Sequence, residues 1–168
     1  MLIRAYDARD IRDAEASLAV FQRAIRVTAS RDYSPEQIAV WAPDNVNITV
    51  WAAKRVAAGT VVATINGRVV GFTDVDDRGY IDMMFVDPSV SGRGVATALL
   101  AWVGELARSR GIRQLTSHVS LTAQAFFEKN GFVVVEERHP VRGGVALTNF
   151  LMRRAVIDAP VDTAPVAT

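Results

Sequence analysis

Two glycines flank an arginine in Ser91-Gly92-Arg93-Gly94-Val95-Ala96-Thr97. The residues before them (Tyr80 to Val86) read as a strand, and those after (Val95 to Arg110) as a long amphipathic helix. Strand, glycine loop and helix N-terminus in that order can hold a phosphate. The first N–H groups of a helix have no intrahelical acceptor, and the helix dipole adds positive potential there. A second reading stands beside this one, a tight strand-to-helix turn with no ligand. The spacing is one residue short of GxGxxG, and a dinucleotide site also needs an acid near the end of the next strand. From Arg113 to Ser120 there is no Asp or Glu, which argues against it. No Gly-Lys-Ser/Thr follows the loop, so it is not a Walker A motif.

The nearest acid to this loop on the preceding strand is Asp82. Strict alternation places it on the same face as Met84 and Val86. An acid on the apolar face of a central strand needs a partner or a task. It could take a proton from a nucleophile, directly or through water, or it could pair with a buried arginine. Asp74 and Asp76 sit near a hairpin turn and are expected to be solvated. His118 and His139 share no metal-ligand spacing with each other or with nearby acids, so no metal site is expected. His118 either faces the sheet interior beside a substrate or is an ordinary strand histidine. His139 precedes Pro140 at a strand end and is expected to be exposed. The aromatics Tyr33, Trp41 and Trp51 read as core or as pocket walls. No nucleophile elbow supports a Ser-His-Asp arrangement.

These residues must be positioned by elements that the pattern delimits. Leu2 to Tyr6 is a short strand. Asp7 is placed to cap a helix from Ala8 to about Thr28, on the period of Ile11, Leu18, Phe21 and Ile25. Ser34-Pro35 with Gln37 is a capping box opening a short helix to Trp41. Residues 46–58 fit both a strand alternation and a helical period, and are read as helix. Thr60 to Ile65 and Val69 to Val75 are strands joined by Asn66-Gly67, a strong hairpin signal. With Tyr80 to Val86 they make a three-stranded antiparallel meander. The long helix ends at Gly111. Then come a strand from Arg113 to Val119, a helix from Leu121 to Asn130, and strands Phe132 to Glu137 and Val145 to Met152 around Arg142-Gly-Gly144. This order predicts an α+β domain around one mostly antiparallel, mixed sheet of about seven strands, flanked by about four helices.

The chain has 168 residues, half of them apolar and 22% charged, which suits a single globular domain. A net charge of +1 gives no reason to invoke nucleic acid or a membrane surface. No cysteine is present, which excludes disulfides, thiolate metal sites and a cysteine nucleophile. The N-terminus lacks an apolar signal region and no run reaches a bilayer-spanning length, so a cytoplasmic protein is expected. One domain is expected over residues 1–153, with a flexible tail over 154–168.

Val86-Asp-Pro88, Gly92-Arg-Gly94-Val-Ala96 and Ala98-Leu-Leu100 together resemble motif A of the GCN5-related N-acetyltransferases (the GNAT superfamily). Ser120-Leu-Thr-Ala-Gln-Ala-Phe-Phe-Glu-Lys-Asn-Gly-Phe132 resembles that superfamily's second half. Asp32-Tyr33, Pro35-Glu-Gln37, Trp41-Ala-Pro43, Ile81-Asp82 and Gly144 to Phe150 are similar to its small bacterial YafP-type branch. The resemblance implies an N-acyltransferase that moves an acyl group, acetyl above all, from acetyl-CoA to a primary amine in a ternary complex, without a metal. The alternative it leaves is a CoA-binding sensor or partner-binding module without catalysis.

It also implies roles. Backbone groups of Met84, Phe85 and Val86 would bond the pantetheine arm. The loop from Ser91 and Gly92 through Arg93, Gly94, Val95, Ala96 and Thr97 would hold the pyrophosphate. Ser120, Phe126 and Phe127 would flank the arm or thioester. Asp82 would be the catalytic base, and Tyr33, Trp41 and His118 would shape the acceptor pocket. The acceptor would be a small-molecule or peptide amine, and a homodimer is a common assembly in the family. Two positions depart from the pattern. Ser91 replaces the usual Gln or Arg, and Phe127 replaces the tyrosine often used as general acid, leaving no hydroxyl to protonate the leaving thiolate.

Overall fold

The computed structural model describes residues 1–156. Strand β1 (Leu2–Ala5) leads into helix α1 (Ile11–Arg23). The cap is Asp10, not Asp7: its carboxylate accepts from the Arg12 N–H, while Asp7 turns back onto the Arg9 N–H. Beyond Arg23 the helix widens into a π-helical turn, Ala24–Thr28, then tightens into a 3-10 turn, Ala29–Arg31. Helix α2 (Pro35–Trp41) opens with the expected capping box, in which Ser34 and Gln37 each accept the other's backbone N–H. The ambiguous stretch is helix α3 (Ile48–Ala57). Asn47 caps it by accepting from the Val50 N–H, and Trp51 and Arg55, one turn apart, form its buried face.

Strands β2 (Val61–Ile65) and β3 (Arg68–Thr73) form the expected hairpin. Asn66 and Gly67 both adopt positive φ, 51° and 76°, as a type I′ turn requires. The predicted third strand is not continuous. It divides into β4 (Tyr80–Ile81) and β5 (Met84–Val86), which have different partners. β5 pairs antiparallel with β3, and β4 pairs parallel with β6 (Gln114–Ser120). Between them run helix α4 (Val95–Ser109) and, after β6, helix α5 (Gln124–Lys129). Gly71 lets α4 close onto β3, since a Cβ there would lie 3.1 Å from both the Phe85 oxygen and Val95.

The chain then forms β7 (Val133–Arg138), a small hairpin of β8 (Val141–Arg142) and β9 (Val145–Ala146), and β10 (Asn149–Ala155). The expected single strand from Val145 to Met152 is thus two elements. Arg154 and Ala155, expected in the tail, belong to β10; the rest of that predicted tail, from residue 157, lies outside the described residues.

Two four-stranded sheets result, β1-β2-β3-β5 and β4-β6-β10-β7. The run from Tyr80 to Val86 belongs to both and joins them. On one face Leu100 of α4 packs with Ile81, Leu115 and Met152 of the sheet, all at or near complete burial. On the other, Phe21 of α1 and Trp51 of α3 pack with Phe72 of β3. Among the described residues no helix is long and apolar enough to cross a membrane.

Candidate functional site

The divided strand makes the site. Ile81 and Met84 both pack toward α4, although three residues apart. Met83 and Phe85 pack toward α1 and α3. Alternation has therefore slipped by one at Asp82, a bulge that re-aims the side chain there. Asp82 does not share a face with Met84 and Val86, as alternation predicts. It emerges on the α3 side, 55% exposed, with its carboxylate 4.0 Å from the Arg55 guanidinium.

The bulge is clamped from β3. The Met83 carbonyl accepts from the Asp74 N–H and from the Thr73 hydroxyl, and its N–H donates to Asp74 Oδ1. Asp74 Oδ2 takes the Arg55 Nη1 at 2.6 Å, with both side chains buried. The expected solvated Asp74 is thus a core acid. Burial raises its pKa, opposed by the Arg55 charge and the Met83 N–H. Arg55 in turn lies over the Trp51 ring at 5.1 Å.

Past the bulge the two sheets part. β4 meets β6 only at Tyr80↔Thr116 and Ile81↔Ser117. Beyond that point β5 pairs only with β3, and the end of β6 only with β10. Bonds from the Asp74 N–H to Met83 O and from the Asp87 N–H to Val70 O fix the ladder's phase. Antiparallel alternation then turns the Phe85 amide groups toward β3, and those of Met84 and Val86 into the gap.

The gap opens into a cleft of about 500 Å³. Met84, Phe85, Val86, Ser91, Gly92, Gly94, Val95, Ala96, Thr97, Ser120, Phe126 and Phe127 line it, so every residue expected at the acyl donor is on its wall except Arg93. The π-helical turn adds Ala24, Ile25 and Thr28, a wall no sequence motif marked. Its signal was available only as a helical pattern running past Arg23 with no cap.

At the wide end of the cleft Gly92 and Gly94 both have φ of 75°. Gly94 occupies the cap position of α4 without a side chain to fill it. The Ser91 and Arg93 N–H groups are used within the loop, and the Ala98 N–H returns to the Gly94 carbonyl. Among the described residues, those of Gly92, Gly94, Val95, Ala96 and Thr97 have no protein acceptor. Asp87 anchors the loop, accepting from the Ser89 N–H and from Arg23 Nη2 at 2.5 Å. Burial opposes its ionisation, but Ser89 and Arg23 outweigh that and hold its pKa below the usual carboxylate range.

Just past the closed end, where β4 and β6 pair, stand Tyr80, Asp82 and His118; none of the three is among the residues that line the cleft. His118 does not face the sheet interior; it is exposed on the α3 side. Its Nδ1 lies 3.1 Å from the Tyr80 hydroxyl and its Nε2 3.0 Å from Arg138 Nη1. Burial and the Arg138 charge lower its pKa, against Asp82 and Glu136. Trp41 lines the cleft. Tyr33 stacks edge-on to Trp41 at 5.1 Å, but its hydroxyl is committed: it donates to the Thr148 carbonyl and accepts from the Leu121 N–H. Phe127 borders the cleft while packing into the core against Phe132, 4.9 Å between ring centres. His139 is exposed, as expected, near Glu137 and Thr148.

Known proteins share this architecture. The acetyltransferase (GNAT) domain model matches residues 29–154. The uncharacterized N-acetyltransferase YafP of Escherichia coli is 41% identical over 141 residues, covering 84% of this chain and 89% of YafP. A GCN5-related N-acetyltransferase from Rhodopseudomonas palustris superposes with a TM-score of 0.86 at 32% identity, covering 92% of this chain and 94% of that one. The PaiA N-acetyltransferase of Thermoplasma acidophilum, solved with coenzyme A, shares the fold with a TM-score of 0.71 at 18% identity, over 92% of this chain and 99% of its own. The matched residues include the bulged strand, the glycine loop, α4, β6 and α5, so the resemblance extends to the walls of the cleft as well as the sheet that frames it: the chain belongs to the GNAT superfamily of N-acetyltransferases.

Proposed function

We propose that the protein transfers the acetyl group of acetyl-CoA to a primary amine by direct attack within a ternary complex. The observation that carries this reading is the row of unpaired amides along one side of the cleft. The free N–H groups of Gly92, Gly94, Val95, Ala96 and Thr97 suit a pyrophosphate, with the α4 dipole behind them. The inward amides of Met84 and Val86 suit the pantetheine arm, which joins β5 as an added strand. The four steps from Val86 back to Asp82 span at most about 13 Å of chain. That brings the thioester to the closed end, where an inward N–H can polarise its carbonyl.

A protonated amine cannot attack, so its proton must leave. Asp82, held out by the bulge, receives it directly or through water. Trp41 and the π-helical turn bound the acceptor side. Tyr33, with its hydroxyl engaged at both lone pair and proton, sets the shape of that wall and does not hydrogen-bond the acceptor. The absence of cysteine removes the commonest acyl-enzyme nucleophile and favours direct transfer.

The test is thiol release from acetyl-CoA against a panel of amines: polyamines, aminoglycosides, amino acids and peptide N-termini. Acetylation of at least one amine, with sequential rather than ping-pong kinetics, is expected. If acetyl-CoA raises the melting temperature but no amine releases thiol, the protein only binds CoA and the catalytic reading is wrong.

A further inference from the structure

Phe127 leaves the departing thiolate without a proton donor at the family's usual position. We infer that Tyr80 is this protein's proton donor to the leaving thiolate, oriented by His118 and Arg138. The inference rests on the acyl-transfer reading above.

Three observations support it. The first is placement. The strands that wall the cleft converge at Tyr80↔Thr116 and Ile81↔Ser117, so Tyr80 stands just past the closed end, behind the lining residues, next to the bulge and away from the pyrophosphate loop. The second is the direction of the hydrogen bonds. A guanidinium has donors only, so Arg138 Nη1 donates to His118 Nε2. In the neutral imidazole the ring proton is then on Nδ1, and it points at the Tyr80 oxygen. The Tyr80 oxygen therefore accepts, and its own proton is free to be given elsewhere; among the described residues it has no acceptor. The third is elimination among the three tyrosines. Tyr33 donates to the Thr148 carbonyl. Tyr6 follows the edge strand β1 at the far side of the first sheet.

The charged groups around Tyr80 fit the role. Burial raises the phenol's pKa, and the Asp82, Asp74 and Asp76 charges add to this while Arg138 opposes them. The phenol is therefore protonated throughout the neutral range. A phenol, at ~10, is a weaker acid than a thiol, at ~8.5, so transfer is driven as charge builds on sulfur and as the His118 N–H steadies the phenolate.

The protons balance. The amine nitrogen bonds the acetyl carbon, the C–S bond breaks, and the electron pair leaves on sulfur. Sulfur takes the Tyr80 proton. Asp82 has taken the proton of the attacking nitrogen, and it lies on the same side of the chain as Tyr80, two residues on. Passing that proton to the phenolate, directly or through water, restores both groups.

The experiment uses acetyl-CoA with hydroxylamine as acceptor, following free thiol near neutral pH. Hydroxylamine is largely uncharged there, so no proton has to be removed before it attacks; the proton its nitrogen sheds afterwards passes to Asp82 or water, and the assay weights departure of the thiolate. The native protein should exceed the buffer rate. Tyr80→Phe, which removes one oxygen, should lose on the order of 10²-fold of the catalysed rate. The CoA-induced rise in Tm should be unchanged. His118→Asn, whose amide nitrogen reaches the Nδ1 position and can still donate to Tyr80, should lose less than His118→Phe, which should fall with Tyr80→Phe. A folded Tyr80→Phe protein within about twofold of the native rate overturns the assignment of Tyr80. A native protein that raises its Tm with CoA yet leaves hydroxylamine and every amine of the panel at the buffer rate overturns the acyl-transfer reading itself, and Tyr80's role with it.

Discussion

The two ends of the cleft are built from different materials. The wide end is backbone: two glycines at positive φ and a row of N–H groups without acceptors. The closed end is side chain: Tyr80, Asp82 and His118 at the surface, with Arg55 and Asp74 buried behind them. A backbone site depends on local conformation and tolerates exchange of its side chains. A side-chain site depends on residues brought together from α3, β3, β4, β6 and β7, and each must be held. Binding of the acyl donor should therefore be robust to most substitutions, and turnover fragile.

The sharpest way to break this contrast is to remove the support behind the closed end. Arg55→Met leaves the Asp74 carboxylate buried without its cation, which should cost about 3–5 kcal/mol of stability, read from the denaturant midpoint. Replacing both, Arg55→Met with Asp74→Leu, should recover much of that loss, because no charge is then left buried. If the single variant costs no more than a surface change, the pair does not hold the bulge. At the wide end Gly94→Asp should lower CoA affinity by at least about 10²-fold, since each 1.4 kcal/mol is tenfold and the change sets strain at φ 75° and a carboxylate against phosphates. A full CoA-induced rise in Tm in that variant would take the loop out of the site.

The same contrast explains what could be read from the chain. The wide end was legible because its requirements are local: Gly92 and Gly94 stand where the turn needs them, and the helix stripe follows at once. The hairpin at Asn66-Gly67 and the capping box at Ser34 were legible for the same reason. The closed end was not. The pattern marks Asp82 as a candidate but puts it on the wrong face, because a period of two makes no allowance for a bulge. That bulge is set by Asp74 and Thr73 gripping Met83 across the sheet, and Asp74 looked solvated while the partner that buries it, Arg55, lay on another element. Tyr80 gives no signal of its own, since the role proposed for it depends on His118 and Arg138, which are distant in sequence. The helical spacing of Trp51 and Arg55 was the one local hint that a charge would be buried under α3.

Two smaller effects sharpen the comparison further. Asp82→Asn should lower turnover of a primary amine by on the order of 10²-fold, leave the CoA-induced rise in Tm intact, and move the activity optimum to higher pH, where solvent takes over removal of the amine proton. Equal loss of binding and turnover would make Asp82 a structural residue and not a base.

The smallest change expected is at Arg93, and it is the most direct test of whether the wide end is backbone. Arg93 lies in the loop but not on the cleft wall, and its own N–H is spent on the Val90 carbonyl. Its charge is solvated, so Arg93→Gln should weaken CoA binding by no more than a factor of about five, the worth of an exposed charge pair, and that loss should vanish at high salt. Calorimetric titration with CoA at two ionic strengths decides it. A large loss that persists in salt would mean that the guanidinium swings onto the pyrophosphate and shares the work with the N–H groups, and the division between a backbone end and a side-chain end would no longer hold.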